Sequence, residues 1–144
     1  MKLNGTHKFK ASSTQVYNAI LNPEVLKNSI PGCESVEVLD ANHIKANITT
    51  QLPGLHGPYG VVFNIVRAQA PNFLELQAER SGRGGSIKLG TQIQIADEPD
   101  GSLLSYEANA DLDGPISIVN NPLGQGVTKN ALGTFFKNLD KAIS

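Results

Sequence analysis

The feature that most constrains this chain is the way its hydrophobic period changes along its length. Six segments between Val36 and Leu112 alternate apolar and polar residues with period two, the pattern of half-buried strands. Val36 and Val38 flank Glu37, and Ile44, Ala46 and Ile48 alternate with Lys45 and Asn47. Tyr59, Val61, Phe63 and Ile65 share a face, as do Leu74, Leu76 and Ala78. Ile87, Leu89, Thr91, Ile93 and Ile95 form the next face, and Leu104, Tyr106, Ala108, Ala110 and Leu112 the last. Asp40 to His43, Ala70 to Asn72 and Asp97 to Gly101 are turn chemistry, and residues 53–58 read as a loop. A further strand, Lys2 to Lys10 with Leu3 and Phe9 on one face, opens the chain and brings the total to seven. The tail then steps by three or four through Ile116, Val119, Leu123, Val127, Ala131, Phe135, Leu139 and Ile143, a helical stripe. Leu132 and Phe136 widen that stripe, and Pro122 either kinks the helix or marks its start.

Between the first strand and the other six lie two short helices. Ser12 or Ser13 offers an N-cap oxygen ahead of Val16 to Leu21. Asn22-Pro23 stops that helix, because the residue before proline avoids the helical region. Pro23 then suits the first turn of a second helix running to about Lys27. Pro31-Gly32 breaks the chain again, making the turn from helix to sheet. Consecutive strands joined by short turns pair antiparallel, and their apolar face must be covered. The expected fold class is therefore α+β: a seven-stranded curved antiparallel sheet around a long C-terminal helix, with residues 1–144 as one domain.

Composition narrows the function. Charged residues are 17% of the chain and the net charge is −1, with no basic stripe, so nucleic acid is not an expected partner. Cys33 is the only cysteine, which excludes an internal disulfide and suits a reducing, cytoplasmic setting. The N-terminus lacks the apolar core of a signal peptide, and no run approaches a membrane span.

The alternation also sorts candidate chemistry. Glu37, Glu75, Glu79, Glu107 and Asp111 fall on the solvent face, so no strand carboxylate is expected to point inward for acid–base work. Thr50, Thr91 and Tyr106, with Arg67 and Arg80 near strand ends, are the expected inward polar groups. That is an apolar pocket with a few orienting groups, the pattern of a small-molecule site. Its expected lining is Phe63, Ile65, Leu76, Leu89, Thr91, Ile93 and Tyr106 from the sheet, with Leu123 and Val127 from the helix. Phe135 and Leu139 read as core. Residues 52–58, 81–85 and 113–121 are expected lips of the pocket, and the glycines of 81–85 read as a hairpin rather than a phosphate cradle. His7 lies on the inward face and reads as a hydrogen-bonded structural histidine. His43 in a turn and His56 in a loop do not make a metal-ligand spacing with it, so no metal or cofactor is expected. Cys33, in a loop beside Glu34, reads as a buried structural thiol.

The segment Asn22-Pro23-Glu24-Val25-Leu26, followed by Ile30-Pro31-Gly32-Cys33-Glu34, resembles the signature of the carbon monoxide dehydrogenase G-subunit family. Leu3, Gly5, Phe9 and Ala11 at the start, and Phe135-Phe136 near the end, are spaced as in that family. The resemblance implies a helix-grip fold of the START and Bet v 1-like superfamily. It implies an accessory protein that binds a lipid, isoprenoid or quinone-like molecule beside a molybdenum-containing oxidoreductase. Pro31, Gly32 and Cys33 would then stand at the cavity entrance. Some members attach to the membrane through an apolar C-terminal extension; this chain ends at Ser144 directly after the stripe, so tethering of that kind is not expected, while peripheral contact stays open. Two alternatives stand beside this reading: a small cyclase- or hydrolase-like enzyme using His7, Tyr106 and the arginines, and a ligand-free maturation or interaction factor.

Overall fold

The structure, a computed structural model, describes residues 2–49, 58–80, 85–114 and 122–143; within the last segment the side chains of Pro122, Leu123, Gly124 and Val127 are not described. Residues 50–57, which hold Thr50, His56 and all but the last residue of the expected loop 53–58, lie outside the described residues, as do 81–84 and 115–121.

Strand β1 (Lys2–Phe9) is followed by α1 (Ser13–Ile20) and α2 (Pro23–Ser29), then β2 (Cys33–Asp40), β3 (His43–Ile48), β4 (Tyr59–Gln69), β5 (Phe73–Arg80), β6 (Ser86–Glu98), β7 (Gly101–Asp113) and α3 (Pro122–Ile143). The seven strands form one antiparallel, curved sheet in the order β1-β7-β6-β5-β4-β3-β2. Every element expected from the periodicity is present, and Pro122 is the first residue of the long helix, so it starts the helix rather than kinking it.

Local chemistry explains the boundaries. Ser12 caps α1 by accepting from the Gln15 amide while the Gln15 side chain accepts from the Ser12 amide, a closed capping box. Ser13 does something else. Its amide and hydroxyl both donate to the Asp97 carboxylate at 2.9 Å, fastening the start of α1 to the end of β6. Asp97 thus belongs to the strand, and the turn is confined to Pro99 and Asp100. Asn22 caps α2 through its side-chain oxygen, which accepts from the amides of Glu24 and Val25. At Pro31-Gly32 the Cys33 amide donates to the Ile30 carbonyl, and Gly32 has φ +77°. This is a tight turn with proline at its second position and a left-handed third residue, which favours glycine. A Cβ there would also strike the Thr49 carbonyl.

Two register shifts set the geometry of edge strand β2, one between Cys33 and Ser35 and one between Val38 and Asp40. Such bulges bend an edge strand and interrupt its regular pairing surface. A third, between Ile65 and Arg67 on β4, moves Arg67 off the expected inner face. Arg67 pairs with Glu75, which is opposite Gln92, itself opposite Glu107: an outward row. Its guanidinium lies 5.0 Å from the Phe73 ring centre.

The core is lopsided. Helix α3 packs against α2, α1 and β1. The fully buried side chains Phe9, Val16, Leu74, Ile95, Leu104 and Leu139 gather at the end of the sheet that α1 covers. A small separate cluster, Tyr59 with Val61, Ile87 and Leu112, lies toward the other end.

Candidate functional site: the open half of the concave face

The ladder registers arrange the inward residues in rows across the sheet. Nearest α1, Asp97, Ser102 and Phe9 align, then Ile95, Leu104 and His7. The next row is Leu74, Ile93, Tyr106 and Gly5. Beyond it come Ile65, Leu76, Thr91, Ala108 and Leu3, then Val38, Ile44, Phe63, Ala78, Leu89 and Ala110. The first three rows are mostly closed over by α1 and α3. In the last two, the large residues Phe63, Ile65, Leu76, Leu89 and Leu3 stay half-exposed although they point inward. Their neighbours Ala78, Ala108 and Ala110 are short and buried at the foot of the taller side chains, so these rows are low and apolar.

The expected lining residues divide between these two regions. Phe63, Ile65, Leu76, Leu89 and Thr91 all lie in the open rows. Ile93 and Tyr106 are 7% and 9% exposed and belong to the packed cluster, at its border with the open rows. The side chains of Leu123 and Val127 lie outside the described residues. Pro31 and Gly32 are exposed in their turn, beside Thr49, whose amide donates to the Gly32 carbonyl. The sequence reading passed over Ala78, Ala108 and Ala110 as site residues. Three alanines at inward positions of neighbouring strands were the available signal, because a packed floor would carry larger residues there.

The polar groups sort clearly. Thr91 donates its hydroxyl to the Glu107 carbonyl at 3.1 Å. Arg80 donates to the Gly85 carbonyl and stacks on the Tyr59 ring, 4.6 Å from its centre. Glu37 faces Lys45, and Glu79 faces Lys88, which faces Asp111; these carboxylates lie on the outward rows as expected. Among the described residues the His7 side chain is held by rings and makes no hydrogen bond, 4.7 Å from the centre of Phe9 and 5.6 Å from that of Phe136. Burial lowers its pKa, Asp140 opposes that shift, and Lys137 adds to it. Tyr106 packs on the same Phe136 ring at 5.5 Å, and burial raises its phenol pKa.

Cys33 is not in a loop but is the first residue of β2, opposite Ile48, and it is half-buried rather than buried. Burial pushes its thiol pKa up despite a contact with the Ser35 carbonyl at 3.4 Å. A raised pKa argues against a thiolate nucleophile. His43 is the first residue of β3 and pairs with the Asp40 carboxylate at 2.8 Å. Among the described residues no group of three His, Cys, Asp or Glu could hold a metal, and no helix is long and apolar enough to cross a membrane. Two hollows of about 330 and 410 Å³ open among mostly outward residues of the opposite, convex face, the first lined by Asn4, Gly5, Thr6, Gln92 and Tyr106 among others, the second by Phe73, Gln94, Ala96 and Leu103 among others.

Comparison with known structures identifies the architecture. The chain superposes on a conserved protein from Geobacillus kaustophilus with a TM-score of 0.91 at 23% identity, covering 99% of this chain and 95% of that one. A START superfamily protein from Mycobacterium smegmatis matches with a TM-score of 0.75 at 13% identity, covering 99% and 96%. Ara h 8.0201 matches with a TM-score of 0.70 at 14% identity, covering 99% and 97%. These likenesses establish the fold alone. No curated protein matches by sequence. The family model for the carbon monoxide dehydrogenase G-subunit (CoxG) matches residues 5–144. With its sheet wrapped about α3 in the START and Bet v 1-like helix-grip manner, the chain belongs to the CoxG family of carbon monoxide dehydrogenase proteins.

Proposed function

We propose that this protein is a non-catalytic carrier that holds a hydrophobic small molecule on the open half of its concave face and serves a carbon monoxide dehydrogenase-type molybdenum oxidoreductase. The observation that carries this reading is the pairing of half-exposed Phe63, Leu76 and Leu89 with the short Ala78, Ala108 and Ala110 on an inward surface. Large apolar side chains left half-exposed on a concave face mark a binding surface more than a failed core. A lipid, isoprenoid or quinone-like molecule fits that chemistry, since each offers an extended apolar body. Family membership supports the oxidoreductase as the partner. Location in the cytoplasm, with contact at the inner membrane face to collect such a molecule, completes the proposal.

The arrangement of the titratable groups favours a carrier over an enzyme. His7 and Tyr106 each pack on Phe136 rather than on one another, and the described strand carboxylates named above sit on the outward rows. A general base must lie within hydrogen-bond reach of its proton, and no hydrogen bond joins this pair among the described residues.

Native mass spectrometry of protein purified from its source tests the reading. A co-purified apolar molecule, lost when Ala110 is replaced by Leu, is the expected result. A ligand-free protein that also fails to take up added lipids or quinones would overturn it.

A further inference from the structure

Helix α3 is clamped along only part of its length. In its second half Phe136 and Leu139 are buried, the Asn138 side chain donates to the Ser29 carbonyl at 3.1 Å, and the Lys10 amide donates to the Asp140 carboxylate at 3.3 Å. Among the described side chains of residues 125–134, by contrast, none is buried. The helix follows β7, which ends at Asp113 beyond Ala110, so its first half lies toward the open rows. Phe136 packs on Tyr106, in the row that adjoins the open ones. From there back to Gln125 is about 16 Å of helix, and rows on one face of a sheet stand about 7 Å apart, so the first half of α3 spans both open rows.

Two chemical features mark where the clamping stops. Gly126 and Gly133 have no positive φ, and a Cβ on either would meet nothing within 4 Å. Neither the backbone nor the packing requires glycine there. Each glycine nonetheless shifts the helix toward coil by about fivefold relative to alanine. Directly after Gly133, the Thr134 hydroxyl donates to the Asn130 carbonyl at 3.0 Å. That carbonyl is also the helical acceptor for the Thr134 amide, and such back-bonding weakens and bends a helix. A weak joint at Gly133-Thr134 thus precedes the first buried anchor, Phe136.

Resting on the carrier reading, we infer that residues 122–133 of α3 are a lid, which unwinds locally to pass a ligand onto the open rows and rewinds over it while the second half of the helix stays clamped. Local openings cost less than global unfolding, and segments that admit ligands are drawn from the least anchored parts of a fold. The two glycines set how often the lid opens rather than how tightly the ligand is held. Alanine would stabilise the closed helix equally in the free and the bound protein, so it changes both rates and not their ratio.

Two readouts on the full chain test this. By hydrogen–deuterium exchange, corrected for intrinsic rates, amides 126–132 should exchange at least about tenfold faster than amides 137–142, and Gly126→Ala and Gly133→Ala should each slow the first group about fivefold. In stopped-flow binding of 2-ethylnaphthalene, whose fluorescence reports transfer from water, the same variants should slow association and dissociation together, each about fivefold, and change the dissociation constant by less than about twofold. Gly90→Ala on β6, where a Cβ also meets nothing within 4 Å, should leave both rates unchanged. Equal exchange in the two halves of the helix would overturn the inference, and so would glycine variants that slow exchange but not binding; either result leaves the carrier reading standing. If the probe does not bind the unmodified protein, the carrier reading falls and this inference with it.

Discussion

The two halves of the concave face are built on the same strands and packed differently. Toward α1, the rows carry Phe9, Leu74, Ile95 and Leu104, closed over by Val16 and Leu139 and fully buried. Toward the loops, the rows carry Phe63, Leu76 and Leu89 with alanines between them, and the large residues remain half-exposed. Strands β5, β6 and β7 run through both regions, so strand propensity cannot distinguish them. Side-chain size does. Where inward positions are large and a helix lies over them, the surface is spent on stability. Where alanines alternate with larger residues, as along Phe63, Ala78, Leu89 and Ala110, the inward layer is thinner. On the proposed reading, folding and binding occupy separate lengths of one sheet, and mutations that act on one half alone can break that comparison.

The largest expected effect is on stability in the closed half. Leu104→Ala removes a fully buried side chain and should cost about 2–5 kcal/mol, whereas Leu89→Ala in the open half should cost about 1 kcal/mol. Urea denaturation of both variants measures the gap, and equal losses would erase the distinction. The next effect is on binding. Ala110→Leu should weaken binding of 2-ethylnaphthalene by about tenfold or more and, because Ala110 is itself buried, lower stability by about 1–3 kcal/mol. Ala19→Leu, on the buried face of α1, should lower stability by about 1–3 kcal/mol and leave binding unchanged. A loss of binding in the second variant would show that the halves are coupled.

Smaller effects follow from titration. The Ser13 amide, then the Ser13 hydroxyl, hold the Asp97 carboxyl below the usual carboxylate range. Its folded pKa is depressed, so the contribution of this clamp is present above the unfolded value and lost as pH falls through the folded one. Asp97→Ala should therefore cost stability at neutral pH and cost less near about pH 3, where the clamp is already weakened. Equal losses at both pH values, read from urea midpoints, would contradict the assignment. The smallest effect belongs to His7. Its folded pKa is lowered, chiefly by burial, so its neutral form favours folding. Stability should decline slightly as pH falls from the ordinary value of 6.5 toward the lower folded pKa, and His7→Phe should flatten that slope. An unchanged slope would mean that burial does not act on this imidazole.

Much of this architecture is legible in the sequence because alternation and helical stepping are local. Leu74 to Ala78 and Ile87 to Ile95 read their own faces correctly, since nothing interrupts their period. Arg67 is misread because the bulge after Ile65 adds one residue, and every inward–outward assignment beyond it slips by one. The same kind of shift accompanies Cys33, which a proline-glycine turn made look like loop although pairing with β3 begins at that residue. Pairings between distant residues were the least legible. The Ser13–Asp97 clamp spans 84 positions, and the pairing of Gly5 with Tyr106 depends on which residue faces which across the β1–β7 ladder. Nothing in the alternation specifies that register. The division of the concave face needed the same information, because alanines on three strands become one low surface only when their rows are aligned.

Methyl NMR during titration with 2-ethylnaphthalene tests the central claim most directly, because it reads both halves in one spectrum. The methyl signals of Leu76, Ala78, Leu89, Ala108 and Ala110 should shift, while those of Leu104, Ile95 and Leu139 hold still. Shifts spread evenly over both halves, or centred on Ala96 and Leu103 of the convex face, would contradict it.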